Sequence, residues 1–128
     1  MDLDANLIKE KIEEYRKDKN CAQSTLMGIC EVAGLDIEDL PTLAAGFGGG
    51  IGGTFDEGTC GAVTGAVMAL GFLADGKQGP CAKGLFNAFK EEYGSVTCGA
   101  ITNNGEDKSL CTEVCVFAGQ KVAELLKE

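Results

Sequence analysis

The stretch TCGAVTGAVMALGFLAD, residues 59–75, decides the fold, because as a helix it is apolar on every side. A helix without a polar face is one that the rest of the protein surrounds. Gly61, Gly65 and Ala69 recur at four-residue spacing, which places them on one face and lets other helices approach closely. We therefore predict a buried central helix over residues 60–75, with Thr59 as its N-cap.

Shorter amphipathic patterns flank the central segment on both sides, and each has recognisable end signals. They predict helices over residues 3–18, from an Asn20 N-cap to Gly34, from Asp36 or Leu40 to Ala45, from Pro80 to Gly94, and after a Ser109 cap. The polar residues 95–108 are predicted to form a loop. With no strand pattern, repeat or linker, residues 1–128 are predicted to form an all-α, single-domain bundle of five or six helices.

Composition narrows the classes of partner. The 128 residues carry a formal net charge of −9, which disfavours binding to nucleic acid or to an anionic membrane surface. The N-terminus is acidic and no secretory signal follows it, and the longest uncharged apolar run, residues 60–74, is shorter than the ~20 residues of a membrane span. We therefore expect a cytoplasmic protein, and the apolar central helix leaves a homodimer open.

Seven cysteines and no histidine point to chemistry that runs on sulfur. The cytosol keeps thiols reduced, so a cytosolic chain gains little from structural disulfides. Without histidine, Cys/His zinc sites and histidine acid–base catalysis are excluded. The chain also has no C-x-x-C, no ferredoxin-type spacing and no C-x-x-C-H, which argues against a thioredoxin dithiol, a zinc ribbon and covalent c-type haem.

Four cysteines fall in the first turn of a predicted helix, where the helix dipole favours a thiolate; they are Cys21, Cys60, Cys81 and Cys111. Thiols at such positions are expected to have a pKa below ~8.5. Cys98 falls in the predicted loop, where core packing explains it less well. Cys30 is predicted to be an inert core thiol. Cys115 is predicted to pack in the core with a resolving role left open, and Cys81 fits either role.

A glycine-rich loop, GFGGGIGG at residues 46–53, precedes the central helix. It formally fits G-x-G-x-x-G but lacks the preceding strand of a dinucleotide site. Its backbone N–H groups are candidates to line an anion pocket or to donate to cluster sulfurs, so Gly48, Gly49, Gly50 and Gly61 are candidate cofactor-binding residues. A tight turn is the alternative for the loop. Asp56 and Glu57 are interpreted as solvated charges.

Several of these segments together resemble the redox-active family labelled C-GCAxxG-C-C. They are NCAQ at residues 20–23, AGFGGG at 45–50, TCGAVTG at 59–65, and the stretches leading to and following Cys98 and Cys111. The resemblance implies a small, mostly helical bacterial or archaeal protein and carries the four family cysteines onto Cys21, Cys60, Cys98 and Cys111. It also implies kinship with segments of larger cytochromes that hold haem and an iron–sulfur site.

Three functions remain open from the sequence. In the first, the protein is a redox-active thiol–disulfide oxidoreductase in which Cys60 attacks and Cys98 or Cys111 resolves, with a redox protein or a small thiol or disulfide as partner. In the second, Cys21, Cys60, Cys98 and Cys111 ligate an iron–sulfur cluster or zinc. In the third, the chain is an interaction module whose thiols are incidental.

Overall fold

The computed structural model describes residues 1–127. Its regular elements are α1 (Ala5–Tyr15), α2 (Cys21–Val32), α3 (Leu40–Ala44) with a 3₁₀ turn (Ala45–Phe47), α4 (Gly61–Leu73), α5 (Gln78–Tyr93), α6 (Cys98–Thr102) and α7 (Cys111–Lys127). Over these residues the chain forms no strand, only an isolated antiparallel bridge between Thr59 and Thr97. The all-α prediction is confirmed. The predicted helix number is low by one, because the short α6 lies inside the predicted loop.

Local sequence signals set the ends of several helices. Asn20 caps α2 through a capping box with Gln23, whose backbone N–H donates to the Asn20 side chain at 2.9 Å while the Gln23 side chain accepts from the Asn20 N–H at 3.0 Å. Gly34 follows α2 with a φ of 78°, and Gly94 ends α5 with a φ of 80°. Both angles lie in the left-handed region that glycine adopts without strain.

Two predicted caps are wrong. Cys60, and not Thr59, occupies the N-cap of α4 and makes no side-chain cap bond, because Thr59 is engaged in the bridge to Thr97. The last helix begins at Cys111, so Ser109 lies one residue too early to cap it, and its N–H instead bonds the Asp107 carboxylate at 3.0 Å. In both places, contacts outside the helix decide where the first turn begins.

The central helix α4 packs against α2, α5 and α7 at the middle of one buried apolar core. Gly61 and Gly65 face α2, where a Cβ on Gly65 would lie 2.6 Å from the Ala22 carbonyl oxygen. The prediction that α4 is buried on every side is wrong, because Val67 and Phe72 are 36% and 46% exposed. Val67 and Phe72 lie on different faces of α4, and the homodimer stays a prediction.

The first and last helices cross near a single isoleucine. A Cβ on Gly28 of α2 would lie 2.6 Å from Ile12 Cγ1, and one on Gly119 of α7 would lie 2.6 Å from Ile12 Cδ1. Ile12 of α1 therefore fills the space that both glycines leave open, and it is fully buried. This packing holds α1 across α2 and α7.

None of the helices within residues 1–127 is both long enough and apolar enough to cross a bilayer.

We predict that a side chain at residue 65 weakens the contact between α2 and α4. Gly65→Ala places a methyl group against the Ala22 carbonyl and Thr25, and we expect it to lower the free energy of unfolding by about 1–3 kcal/mol. Gly71→Ala on the same helix meets no atom within 4 Å, and we expect it to raise that free energy by up to ~1 kcal/mol through helix propensity. Urea unfolding under reducing conditions measures both. Equal effects of the two substitutions would contradict the close-approach explanation.

Candidate functional site

Four cysteines meet where four helices begin. Cys21, Cys98 and Cys111 are the first residues of α2, α6 and α7, and Cys60 is the N-cap of α4. The Cys60 thiol interacts electrostatically with each of the other three, and the Cys98 and Cys111 thiols interact with each other. We call Cys21, Cys60, Cys98 and Cys111 the four-thiol cluster. The structure thus brings together all four cysteines that the sequence singled out.

Backbone hydrogen bonds connect the starts of α4 and α6. The Cys60 N–H donates to the Val96 carbonyl at 2.7 Å, and the Cys98 N–H donates to the Gly58 carbonyl at 2.7 Å. The glycine-rich loop closes over this connection, since a Cβ on Gly50 would lie 3.1 Å from Gly58 Cα and 3.3 Å from Cys98 Cβ. The loop therefore works by letting backbones pass close to one another beside the thiols.

Two turns of α7 face the start of α2. The thiols of Cys21 and Cys111 are neighbours, and each is the largest single influence on the pKa of the other. One turn further along α7, the Cys115 thiol contacts the Cys21 thiol and donates to the Cys21 carbonyl oxygen at 3.6 Å. Of the two cysteines on α7, Cys115 is fully buried and Cys111 borders the surface.

A cavity of about 390 Å³ opens beside the cluster. Cys21, Cys98 and Cys111 line it and are 9%, 5% and 6% exposed, whereas Cys60 is 3% exposed and does not line it. The rest of the wall combines the glycine-rich loop with Phe55, Thr102 and two basic side chains, Arg16 and Lys108. Three thiols of the four-thiol cluster are thus within reach of a small molecule in the cavity.

The cluster thiols keep their protons. Burial and the neighbouring thiols raise the pKa of Cys60 to about 12, although the Ala62 N–H opposes the shift. The Cys111 thiol lowers the pKa of Cys21, but the Cys115 thiol and burial raise it to about 12. The Cys21 thiol and burial raise the pKa of Cys111, and burial raises that of Cys98 against the hydroxyl of Thr102.

The expectation of lowered pKa values at helix starts is therefore wrong for Cys21, Cys60 and Cys111. A thiolate in the cluster leaves water and faces other sulfurs, and both effects disfavour negative charge. The coulombic contributions of Arg16 and Lys108 lower the pKa values in this part of the site, but they do not reverse the shift. Burial and the neighbouring thiols together outweigh the helix N-termini here.

The other predicted residues separate into distinct places. Cys30 is buried in the core within α2, where burial raises its pKa to about 11, and Cys81 lines a different cavity with Leu73 and Leu125. Cys98 is in α6 and not in a loop, with Thr97 as its N-cap. The Thr97 hydroxyl accepts a hydrogen bond from the Ala100 N–H at 3.2 Å.

The candidate cofactor-binding glycines lie in different places. Gly48 and Gly49 line the cavity beside the cluster, while Gly50 is buried against Gly58. Gly61 serves helix packing, because a Cβ there would lie 2.7 Å from the Ala22 nitrogen. The two loop carboxylates, Asp56 and Glu57, are exposed and stand outside the cavity wall.

Sequence reasoning missed the two basic residues of the cavity wall. Arg16 is the C-cap residue of α1, where a basic side chain is ordinary, and Lys108 lies in a polar segment. Neither position carries a periodic or motif signal. The position of Lys108 shortly before Cys111 is the single hint that the chain offers.

As a donor set, four thiols and no histidine suit an iron–sulfur cluster or a tetrahedral zinc ion. The side-chain geometry is less favourable to zinc, which needs its sulfurs ~2.3 Å from one point. Among residues 1–127, no group of three or more cysteine, aspartate or glutamate side chains converges on a position that could hold a metal ion. The donor chemistry therefore fits a cluster, while the observed geometry does not form a site for a single ion.

Comparison with known proteins identifies the family of the chain. A family model described as "Putative redox-active protein (C_GCAxxG_C_C)" matches residues 19–128. An uncharacterized protein of Archaeoglobus fulgidus is 28% identical over 143 aligned positions, which cover 94% of this chain and 93% of that protein. No solved structure matches the chain. The matched region contains all seven cysteines and begins two residues before Cys21.

The raised thiol pKa values predict that the reduced, metal-free protein loses stability in alkali. The pKa of Cys60 is about 12 in the folded chain. The folded state thus holds this proton more tightly than the unfolded state, whose thiols have a pKa of ~8.5. The resulting stabilisation is complete below pH ~8.5 and is lost as the pH rises towards the folded-state value.

We expect the free energy of unfolding to fall between pH ~8.5 and ~10, with Cys60 alone accounting for roughly 1.5 kcal/mol. Urea unfolding with reductant and chelator present, at a series of pH values, measures this fall. Cys60→Ala is the matched variant and should show a shallower pH dependence. The same slope in both proteins would show that the Cys60 proton does not contribute.

Proposed function

Because the chain belongs to the C_GCAxxG_C_C family, described as putative redox-active proteins, we propose that it is a thiol–disulfide redox protein whose working pair is Cys21 and Cys111. The observation that carries the proposal is that these two thiols are neighbours and that both line the cavity. Oxidation would join the two sulfurs at the ~2.05 Å of a disulfide.

The effect of each thiol on the other assigns the two roles. The Cys111 thiol lowers the pKa of Cys21, whereas the Cys21 thiol raises the pKa of Cys111. Both thiols begin a helix and both interact with Arg16, so these two features stabilise a thiolate at either position. We therefore assign Cys21 as the attacking thiol and Cys111 as the resolving thiol. Cys60, the nucleophile expected from the sequence, is screened from the cavity by its burial.

The exchange has two steps. The Cys21 thiolate attacks one sulfur of a substrate disulfide, the S–S bond breaks, and one substrate half leaves as a thiolate that takes up the proton released by Cys21. The Cys111 thiol then loses its proton and attacks the Cys21 sulfur of the mixed disulfide. The second substrate half leaves and takes up that proton. The protein dithiol has lost two electrons to become a disulfide, and the substrate has gained them as two thiols.

A second candidate function rests on the convergence of four helix starts. Cys21, Cys60, Cys98 and Cys111 supply the four thiolates that iron–sulfur clusters use, and Arg16 and Lys108 would offset part of the cluster's negative charge. In this alternative all four cysteines matter equally. In the dithiol proposal, Cys21 and Cys111 dominate.

Peptide mapping of the oxidised protein tests the dithiol proposal. The reduced chain is treated with 2-hydroxyethyl disulfide and alkylated, and the remaining disulfides are identified by mass spectrometry. We expect a bond between Cys21 and Cys111 and the loss of two thiols per chain. Cys21→Ala and Cys111→Ala should abolish the two-thiol loss, whereas Cys30→Ala, which removes a core thiol away from the cavity, should not.

Anaerobic purification decides between the two candidates. Broad visible absorption with bound iron, lost when any one of Cys21, Cys60, Cys98 or Cys111 is replaced by alanine, would overturn the dithiol proposal in favour of a cluster. A protein without iron that forms the Cys21–Cys111 disulfide supports the proposal. A protein with neither iron nor thiol exchange would leave the interaction module as the function.

A further inference from the structure

The cavity beside the four-thiol cluster has a charge opposite to that of the chain as a whole. The chain has 20 acidic and 11 basic residues. Nevertheless, the cavity wall within residues 1–127 contains Arg16 and Lys108 and no acidic side chain. The wall of the thiol-lined cavity is therefore positively charged, which favours a negatively charged ligand.

Neither basic residue is neutralised by a carboxylate. Arg16 donates from Nη1 to the Lys19 carbonyl at 3.0 Å and from Nε to the Thr112 hydroxyl at 3.4 Å, and both acceptors are uncharged. The Lys108 ammonium lies 5.4 Å from the centroid of the Phe55 ring, a cation–π contact that leaves its charge intact. In the part of the chain that the structure describes, neither makes a salt bridge.

Other basic residues of the same chain do have acidic partners. Lys11 bonds Glu31 at 3.2 Å, and Lys121 bonds Glu124 at 2.9 Å. Arg16 and Lys108 differ from these lysines in their surroundings, because they share a cavity wall that contains thiols and no acidic side chain among the described residues.

The dimensions of the site favour a small molecule over a protein partner. The cavity of about 390 Å³ falls at the lower end of the ~300–1,000 Å³ range of small-molecule sites. The thiols on its wall are nearly buried, so a disulfide on the surface of another protein would not reach them without an extended loop. A compact ligand with a central S–S bond fits both constraints.

We propose that the substrate is a low-molecular-weight disulfide with carboxylate groups, held by Arg16 and Lys108 with its S–S bond facing Cys21. Each carboxylate would form a charge-assisted contact with one of the two basic side chains. This inference rests on the proposed thiol–disulfide function and adds the substrate class to it. The reaction balances as in the exchange above. The dicarboxylate disulfide is the oxidant, and two thiol-carboxylates are the products.

Three disulfides of similar length and different charge test the proposal. They are 3,3′-dithiodipropionate (anionic), 2-hydroxyethyl disulfide (neutral) and cystamine (cationic). The oxidation rate of the reduced full-length protein with each is divided by the rate with the urea-unfolded chain, which removes intrinsic reactivity. We expect the normalised rate with the anion to exceed that with the neutral compound by about tenfold or more, with cystamine slowest.

Charge-removing variants locate the preference. Lys108→Met and Arg16→Met should each lower the ratio of anionic to neutral rates by about tenfold, as loss of one charge-assisted contact predicts. Lys83→Met removes an exposed charge on α5, away from the cavity, and should leave the ratio unchanged. An equal drop in all three variants would mean that net charge, and not the cavity, sets the preference, and would overturn the proposal.

A ligand without sulfur separates this inference from the proposed function. Suberate is the isostere of dithiodipropionate with CH₂–CH₂ in place of S–S, so it cannot exchange. We expect calorimetry to detect suberate binding that Lys108→Met weakens by about tenfold. Normal exchange with no charge preference and no suberate binding would overturn the substrate class and leave the redox function standing. Suberate binding without any exchange would support the anion site and overturn the redox function.

Discussion

The contact between the start of α4 and the start of α2 is the constraint on which the site depends. Gly61 lies where a Cβ would be 2.7 Å from the Ala22 nitrogen and 2.8 Å from Cys21 Cβ, so only glycine allows the two helices to begin side by side. This contact sets Cys60 next to Cys21. The hydrogen bonds between Cys60 and Val96 and between Cys98 and Gly58 then bring in α6. Gly61, a candidate cofactor-binding residue by its sequence, therefore serves helix packing.

Opposing effects act at the cluster: helix N-termini favour a thiolate, whereas burial and the neighbouring thiols disfavour one and prevail. A helix N-terminus favours a thiolate by typically 0.3–1 kcal/mol, whereas desolvation of a buried charge costs several times more. The direction of every pKa shift resolved in the four-thiol cluster follows the larger effect. Helix starts still matter, because they bring four thiols and their unpaired N–H groups to one place. The main contribution of the helix starts is to position the thiols, and their electrostatic effect is smaller.

Much of the fold could be predicted because its signals are local. The capping residue Asn20 and the terminal glycines Gly34 and Gly94 act through their own neighbours in sequence, and each occurs where it was predicted. The five residues of α6 were missed because one turn of helix has no periodicity, and its position depends on the distant Gly58 carbonyl. The cap of α4 shifted from Thr59 for the same reason, since a tertiary bridge outweighed local preference.

The features of the site can likewise be separated into those that local sequence predicts and those that depend on the folded core. The four cysteines could be selected from their places at helix starts and from the family resemblance, but their protonation could not, because burial is a property of the assembled core. The assembled site also constrains its chemistry: a dithiol and a disulfide are both uncharged. Conversion between them leaves no permanent charge in the core, so the resting states of the Cys21–Cys111 pair match an environment that disfavours thiolates. Negative charge then arises only in transit, at the cavity wall where Arg16 and Lys108 lie.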